Sequence, residues 1–197
     1  MYYVISTFCI LIVLYQIKTE ATTDHEISAV CPPILSRSQW QGRKPQIVAY
    51  VVVPTLNVVI HHTVTDQCST EQKCSSTVRT IQNFHIDEMD LPDIGYNFII
   101  GGDGNIYEGV GWHKTGAHTR GYNSRSMGIA FIGNYQDVLP NKKMLEALKN
   151  LLNCGVQLGE LDKNYRLFGA RQVSATASPG TKLFKELKNW SHFVLNP

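Results

Sequence analysis

No block of like charge occurs anywhere in this chain, and its formal net charge is only +2. A field that weak argues against nucleic acid or an anionic membrane as the main partner, because both are recognised through dense positive charge. No internal repeat is visible, which sets aside solenoid and propeller architectures. Low complexity is absent as well: with 43% hydrophobic and 17% charged residues, the chain can bury a core and has no need of disorder. The cysteines show no C-x-x-C spacing and no paired histidine motif accompanies them, so a zinc knuckle is a weak reading.

What is present points to one exported domain. At 197 residues the chain is long enough for one well-buried domain and short for two. Tyr2 to Ile17 is an apolar run broken only by Ser6, Thr7 and Gln16, followed by Lys18, Glu20 and the small Ala21, as in a signal-peptide core and cleavage site. The competing reading is a retained anchor, since no basic side chain precedes the run, but its length falls just short of a membrane span. The expected organisation is therefore a signal peptide over 1–21, a flexible polar segment over 22–30 and a folded domain over 31–197. Of the five cysteines, Cys9 lies in the leader and leaves Cys31, Cys68, Cys74 and Cys154, an even set suited to an oxidising compartment. Spacing alone permits three pairings. The simplest joins Cys68 to Cys74 across a short polar loop and leaves Cys31 with Cys154.

From Cys31 to Pro54 the chain reads as an extended arm with Pro32-Pro33, Trp40 and an apolar Ile47–Val53. A turn at Pro54–Asn57 leads to a β-branched strand, Asn57–Val64, ending in His61-His62. Alternation along a strand sends these two histidines to opposite faces, so one of them is expected to be packed or at an edge. Ser75 or Ser76 can cap a helix running to about Met89, with His85 on its inner stripe beside Val78, Ile81 and Phe84. Pro92 stops it. Ile94–Ile100 and Asn105–Val110 read as strands. Gly101-Gly-Asp-Gly104 between them is a hairpin turn, since a phosphate-cradling loop would precede a helix and carry a glycine where Tyr107 stands. After a polar loop over Trp112–Asn123, Met127–Gly133 is a continuously apolar strand. A long amphipathic helix starts at Pro140 and ends at Gly159. Tyr165–Phe168 is a last short strand, and Lys182–Trp190 a terminal helix containing the glycosylation pattern Asn189-Trp190-Ser191. Strands alternating with helices give an α/β class: one domain, a central mixed sheet flanked by helices.

Several stretches, taken together and in order, carry a family likeness. Val-Val-Ile-His61-His62-Thr, Asn-Phe-His85, Asp93-Ile-Gly-Tyr96-Asn-Phe, Gly-Gly-Asp-Gly-Asn-Ile-Tyr107-Glu-Gly, Gly-Ala-His118-Thr, Gly-Ile-Ala-Phe-Ile-Gly-Asn and Ser178-Pro-Gly resemble the peptidoglycan recognition proteins over about residues 31–197, most of all their short secreted insect forms. The resemblance implies an amidase type 2 fold with a central sheet, three main helices and an open groove for muramyl peptide.

In enzymatic members zinc is held by the first histidine of the His-His pair, a histidine just after a strand-ending Leu-x-Gly, and a cysteine before Pro-Gly. Here those positions are His61, Ala170 and Ser178. Alanine has no donor atom and a serine hydroxyl is poorly ionised near neutral pH, so neither holds zinc as imidazole or thiolate does. Accessory positions fall on Tyr96 and Thr176. The resemblance thus implies a recognition member that binds muramyl peptide without hydrolysing it and needs no cofactor.

By position, its ligand contacts fall on His61, His62, His85, Tyr96 and His118, with Thr119 and Arg120 beside the last. Asp90-Leu91 occupies the place of the Gly-Trp pair found in binders of diaminopimelate-type peptidoglycan, which favours lysine-type stems; Arg120 and Arg125 argue mildly the other way. Insect recognition members signal to immune serine-protease cascades, so a protein partner is implied, and a scaffold acting mainly through proteins is one rival reading. Two enzymatic readings are weaker: a zinc amidase lacks ligands, and a serine peptidase built on Ser178 with His61 as base lacks a nucleophile elbow and an orienting acid.

Overall fold

The computed structural model describes residues 31–197; the leader over 1–21 and the polar segment over 22–30 lie outside the described residues. Six strands form one mixed sheet: β1 (Ile34–Leu35), β2 (Thr55–His62), β3 (Phe98–Ile100), β4 (Ile106–Glu108), β5 (Ser126–Phe131) and β6 (Leu161–Gly169), in the spatial order β1-β4-β3-β5-β2-β6. β5, β2 and β6 run parallel, as do β3 and β5, and the β3–β4 hairpin supplies the antiparallel pair. Three helices flank the sheet: α1 (Glu71–Asp87), α2 (Lys142–Gln157) and α3 (Thr181–Leu187).

Strand register divides the two faces. Val58, Ile60 and their partners Met127, Ile129 and Phe98 share one face, packed with Leu148, Leu151 and Leu152 of α2 and Leu183 and Leu187 of α3. On the opposite face lie Val59 and His61, and register carries that face through Ala130 and Ile99 to Tyr107. Helix α1 covers only its β3–β4 half, where Val78 and Ile81 pack with Ile99, Tyr107 and Trp40. Among the described residues, no long helix lies over the half above β2 and β6. An opening at the carboxyl ends of parallel strands is where open α/β sheets take ligands.

Both expected disulfides form, Cys31–Cys154 and Cys68–Cys74. Helix α1 starts earlier than the serine caps suggested. Thr70 is its N-cap, accepting the Lys73 N–H, because Cys74 is the buried member of a first turn whose other side chains stay polar and exposed. It also ends sooner, at Asp87 rather than Met89. Strand β6 begins at Leu161, four residues before Tyr165. It is the outer strand, so Lys163 and Asn164 point to water and show no apolar pattern. Strand β3 is shorter than expected, since residues 94–97 form a turn that a buried carboxylate organises. Asp93 accepts from both Nη atoms of Arg37, from Gln82 Nε2 at 2.8 Å and from the Ile94 N–H at 2.7 Å. Gly104, in the hairpin, sits at φ +90°, where a Cβ is disfavoured. Ile47–Val53 stays an arm outside the sheet, held by the antiparallel bridge Tyr50–Lys114.

Candidate functional site

The open half of the sheet holds a cavity of about 280 Å³. Its walls are His61, His62, Val64, Tyr96, His118, Ala170 and the segment carrying Ser174, Thr176, Ala177 and Ser178. His61 comes from the end of β2. Parallel pairing of Ile60 with Gly169 puts Ala170, the next residue after β6, alongside it. Tyr96 arrives on the turn that Asp93 organises. His118 lies over the β5 glycine: a Cβ built on Gly128 would sit 2.3 Å from the His118 ring. Any side chain at Gly128 would collide with that imidazole.

Hydrogen bonds fix these rings. Thr119 Oγ1 lies 3.1 Å from His61 Nε2 and 3.0 Å from His118 Nδ1, and a hydroxyl can accept from one ring while donating to the other. The His61 ring centroid is 5.4 Å from that of His118 and 5.3 Å from that of Tyr96. Tyr96 in turn meets His85, whose Nδ1 accepts the Gly95 N–H at 2.9 Å. His62 shows the expected alternation in its partners, since its Nδ1 accepts the N–H of Tyr135, a residue of the opposite core. It nevertheless borders the cavity, so the expectation that the two histidines cannot share one pocket is too strict at a strand end. Ser178 Oγ accepts the backbone N–H of His62 at 3.0 Å.

Of the residues singled out in the sequence, the cavity gathers His61, His62, Tyr96, His118, Thr176, Ala170 and Ser178, with Thr119 as the bridge behind them. His85 is one ring further back. Asp90, Leu91 and Arg120 do not line it; Asp90 and Arg120 are exposed, and Leu91 donates its N–H to the His85 carbonyl. Ser174 and Ala177 line the cavity unannounced, because an exposed loop residue carries no periodicity; Val64, expected as the end of the strand, lines it from the loop after β2, which stops at His62.

The environment keeps the imidazoles neutral. Burial pushes His118 down to about 4, and holds His61 well below the usual histidine range with help from its neighbours His118 and His62. His62 is lowered by burial and by Arg171. Burial raises the Tyr96 phenol to about 12. At neutral pH the cavity therefore offers uncharged imidazoles, a protonated phenol and hydroxyls, and its walls hold no carboxylate. Such a surface suits amides, hydroxyls and sugar rings.

One consequence is a stability that depends on pH. Below pH 6.5 the unfolded chain protonates His118 while the folded chain, with a pKa of about 4, does not. Stability falls as pH drops through that window. Between pH 7 and 5 the loss from this residue is about 2 kcal/mol. Urea unfolding at both pH values is expected to show a difference smaller by that amount in His118→Gln; an equal difference in the variant would exclude His118 as its source.

The donor set does not fit a zinc ion. Ala170 supplies no ligand atom, Ser178 Oγ already accepts a backbone N–H, and no group of three or more His, Cys, Asp or Glu among the described residues is placed to hold a metal. Nor is Ser178 paired with a base, since no imidazole nitrogen is hydrogen-bonded to its hydroxyl among the described residues; His61 Nε2 goes to Thr119.

Comparison with known proteins agrees with this geometry. The family model described as N-acetylmuramoyl-L-alanine amidase matches residues 53–181. Peptidoglycan-recognition protein 1 of Holotrichia diomphalia is 47% identical over 191 residues, 97% of each chain. The structure of Drosophila peptidoglycan recognition protein SA superposes with a TM-score of 0.83 at 49% identity, covering 85% of this chain and 96% of that one. A single-residue variant of Drosophila PGRP-LB in complex with tracheal cytotoxin matches at 43% identity and a TM-score of 0.81, over 84% of this chain and 99% of that one. On these likenesses in sequence and fold over most of its length, the chain belongs to the peptidoglycan-recognition protein family, with its amidase-type fold.

Proposed function

We propose that the cavity binds the muramyl-peptide portion of bacterial peptidoglycan and leaves it uncleaved. The observation that carries this is a pocket whose lining lacks zinc donors at two positions: Ala170 and Ser178 stand with His61 in one cavity, and His61 is packed by Tyr96 and His118 and hydrogen-bonded to Thr119. Binding to a peptidoglycan fragment is supported by the complex of the structural relative with tracheal cytotoxin. Hydrolysis would need a metal-bound or serine nucleophile, and the site has the parts for neither.

Finer features belong to the same reading. Residues 1–21 serve as a removable leader and 22–30 as the N-terminal segment ahead of the domain at 31–197, which acts outside the cell as a recognition receptor of innate immunity and signals to a serine-protease cascade. Two disulfides fit an extracellular setting, and no helix among the described residues is long and apolar enough to cross a membrane. Lysine-type stems are preferred. Asp90 is exposed and makes no ion pair among the described residues, so it is free to meet a lysine ammonium, with a gain of about 0–1 kcal/mol. Arg125, a rival attractor for a carboxylate, is turned onto its own loop, with its guanidinium 4.2 Å from the Tyr122 ring centroid.

The test is retention on insoluble lysine-type and diaminopimelate-type peptidoglycan, with metal content and released peptides measured in the same samples. Retention without zinc or cleavage is expected, stronger on the lysine type. Tyr96→Ala is expected to weaken it at least about tenfold, since burying a large side chain is worth about 1.5–3 kcal/mol. Unaltered retention by that variant would move the ligand elsewhere; tighter binding of the diaminopimelate form would overturn the stem preference.

A further inference from the structure

A second cavity, about 360 Å³, opens on the other side of the sheet, between α2, β6 and the turn after α3. Its walls include Lys149, Asn153, Tyr165 and the continuous segment Asn189–His192. That segment contains the acceptor pattern Asn189-Trp190-Ser191. The sequence reading put it inside a helix, but α3 ends at Leu187, and Asn189 stands in an exposed turn. A turn leaves the asparagine amide and the serine hydroxyl reachable, whereas helical hydrogen bonding would hold the backbone rigid around them.

The lining suits a sugar. Tyr165 and His192 stack with ring centroids 3.9 Å apart, and Trp190 stands half-buried with its indole N–H on Glu186 and the Lys149 amine 4.9 Å from its ring centre. The side chains of Asn153, Asn189 and Ser191 have no hydrogen-bond partner among the described residues, and Lys149 makes no ion pair among them. Apolar ring edges beside unpartnered amides match a hexosamine, with its C–H face, its hydroxyls and its N-acetyl amide. Two disulfides place folding in the oxidising compartment where such modification takes place.

We propose that Asn189 carries an N-linked glycan whose first N-acetylglucosamine rests in this cavity. In the transfer, the Asn189 side-chain nitrogen forms a bond to the anomeric carbon of a lipid-diphosphate-linked oligosaccharide. The bond from that carbon to the diphosphate oxygen breaks, the lipid diphosphate leaves, and the amide gives up one proton. The sugar lies across the sheet from the histidine-lined cavity, so it leaves that cavity open.

The full chain, expressed in insect cells and collected from medium and membranes together, is compared with Ser191→Ala by intact mass and by peptide mapping after glycosidase release in heavy-oxygen water. Expected are a glycan mass on the parent chain, an oxygen label at position 189, and neither in the variant. The seated sugar is expected to raise the Tm by about 2–4 °C over the variant, the shift that about 1 kcal/mol of added contact gives in a domain of this size, with peptidoglycan retention equal in both as the check on folding. An unmodified Asn189 overturns the modification. A glycosylated parent that melts with the variant overturns the seating.

Discussion

Ala170→His combined with Ser178→Cys is expected to turn this chain into a zinc protein. The three positions already meet. His61 ends β2, Ala170 follows β6 at the neighbouring register, and Ser178 reaches the same cavity from the next turn. What is lacking is donor chemistry, because a methyl group and a hydroxyl that already accepts the His62 N–H cannot replace imidazole and thiolate. A three-ligand N/S site binds zinc with apparent free energies of order 10 kcal/mol, so the double variant is expected to gain at least about a thousandfold in affinity, or roughly 4 kcal/mol. Metal analysis after dialysis against a weak chelator reads this directly, and adding His61→Ala should abolish the gain. Stoichiometric zinc in the unsubstituted chain, or chelator-sensitive cleavage of the muramoyl–alanine amide by it, would contradict the proposed function at its root.

Asp93→Ala is expected to be the most destabilising single substitution near the cavity, at about 3–5 kcal/mol. The carboxylate is 4% exposed and accepts from Arg37, Gln82 and the Ile94 backbone. Its removal strands a guanidinium that is itself only 18% exposed, together with a buried amide and a buried N–H. Arg37 keeps its bonds to the Arg43 and Gly109 carbonyls, which limits the loss to the lower part of that range. The effect should reach the cavity, because this turn presents Gly95 to His85 and Tyr96 to His61. Urea denaturation of the variant is expected to show the loss in full, and its retention on peptidoglycan should fall with it. Asp93→Asn, whose amide oxygen can keep the three contacts made to Oδ1 while its NH2 meets the Arg37 guanidinium as a second donor, should fall in between. A cost under about 1 kcal/mol for the alanine variant would mean that the pair is as solvent-screened as a surface bridge.

The first experiment addresses side chains the sequence had singled out; the second addresses Asp93, which stood in a motif there but whose role as a buried acceptor only the structure shows. His61, Tyr96, His118 and the empty ligand positions Ala170 and Ser178 were found through the motifs around them, and the structure brings all five to one cavity. The role of Thr119 as the bridge between two imidazoles was not legible, since a hydroxyl shared across 58 positions leaves no local pattern. Gly128 was hidden for the same reason: its lack of a side chain matters only because His118 comes to rest on it. Asp90 and Leu91 were placed by analogy with a recognition pair, yet they stand outside the cavity walls, Asp90 exposed and Leu91 hydrogen-bonded to His85.

The fold divides in the same way. Apolar periodicity determined the long helix α2 and the fully buried β5, and turn chemistry the hairpin around Gly104, because each follows from a few neighbouring residues. Spacing left three cysteine pairings open, and the tertiary structure decided for Cys31–Cys154, which closes across 123 positions, and Cys68–Cys74. The family resemblance, not periodicity, implied that Ala170 and Ser178 stand where enzymatic members keep zinc ligands. Only the tertiary structure decided where α1 begins, how far the outer strand β6 extends through polar residues, that Asn189 lies past the end of its helix, and which half of one sheet face stays open. Those outcomes depend on what packs against each segment from far away in the chain, and such contacts are invisible until the sheet has brought its strands into register.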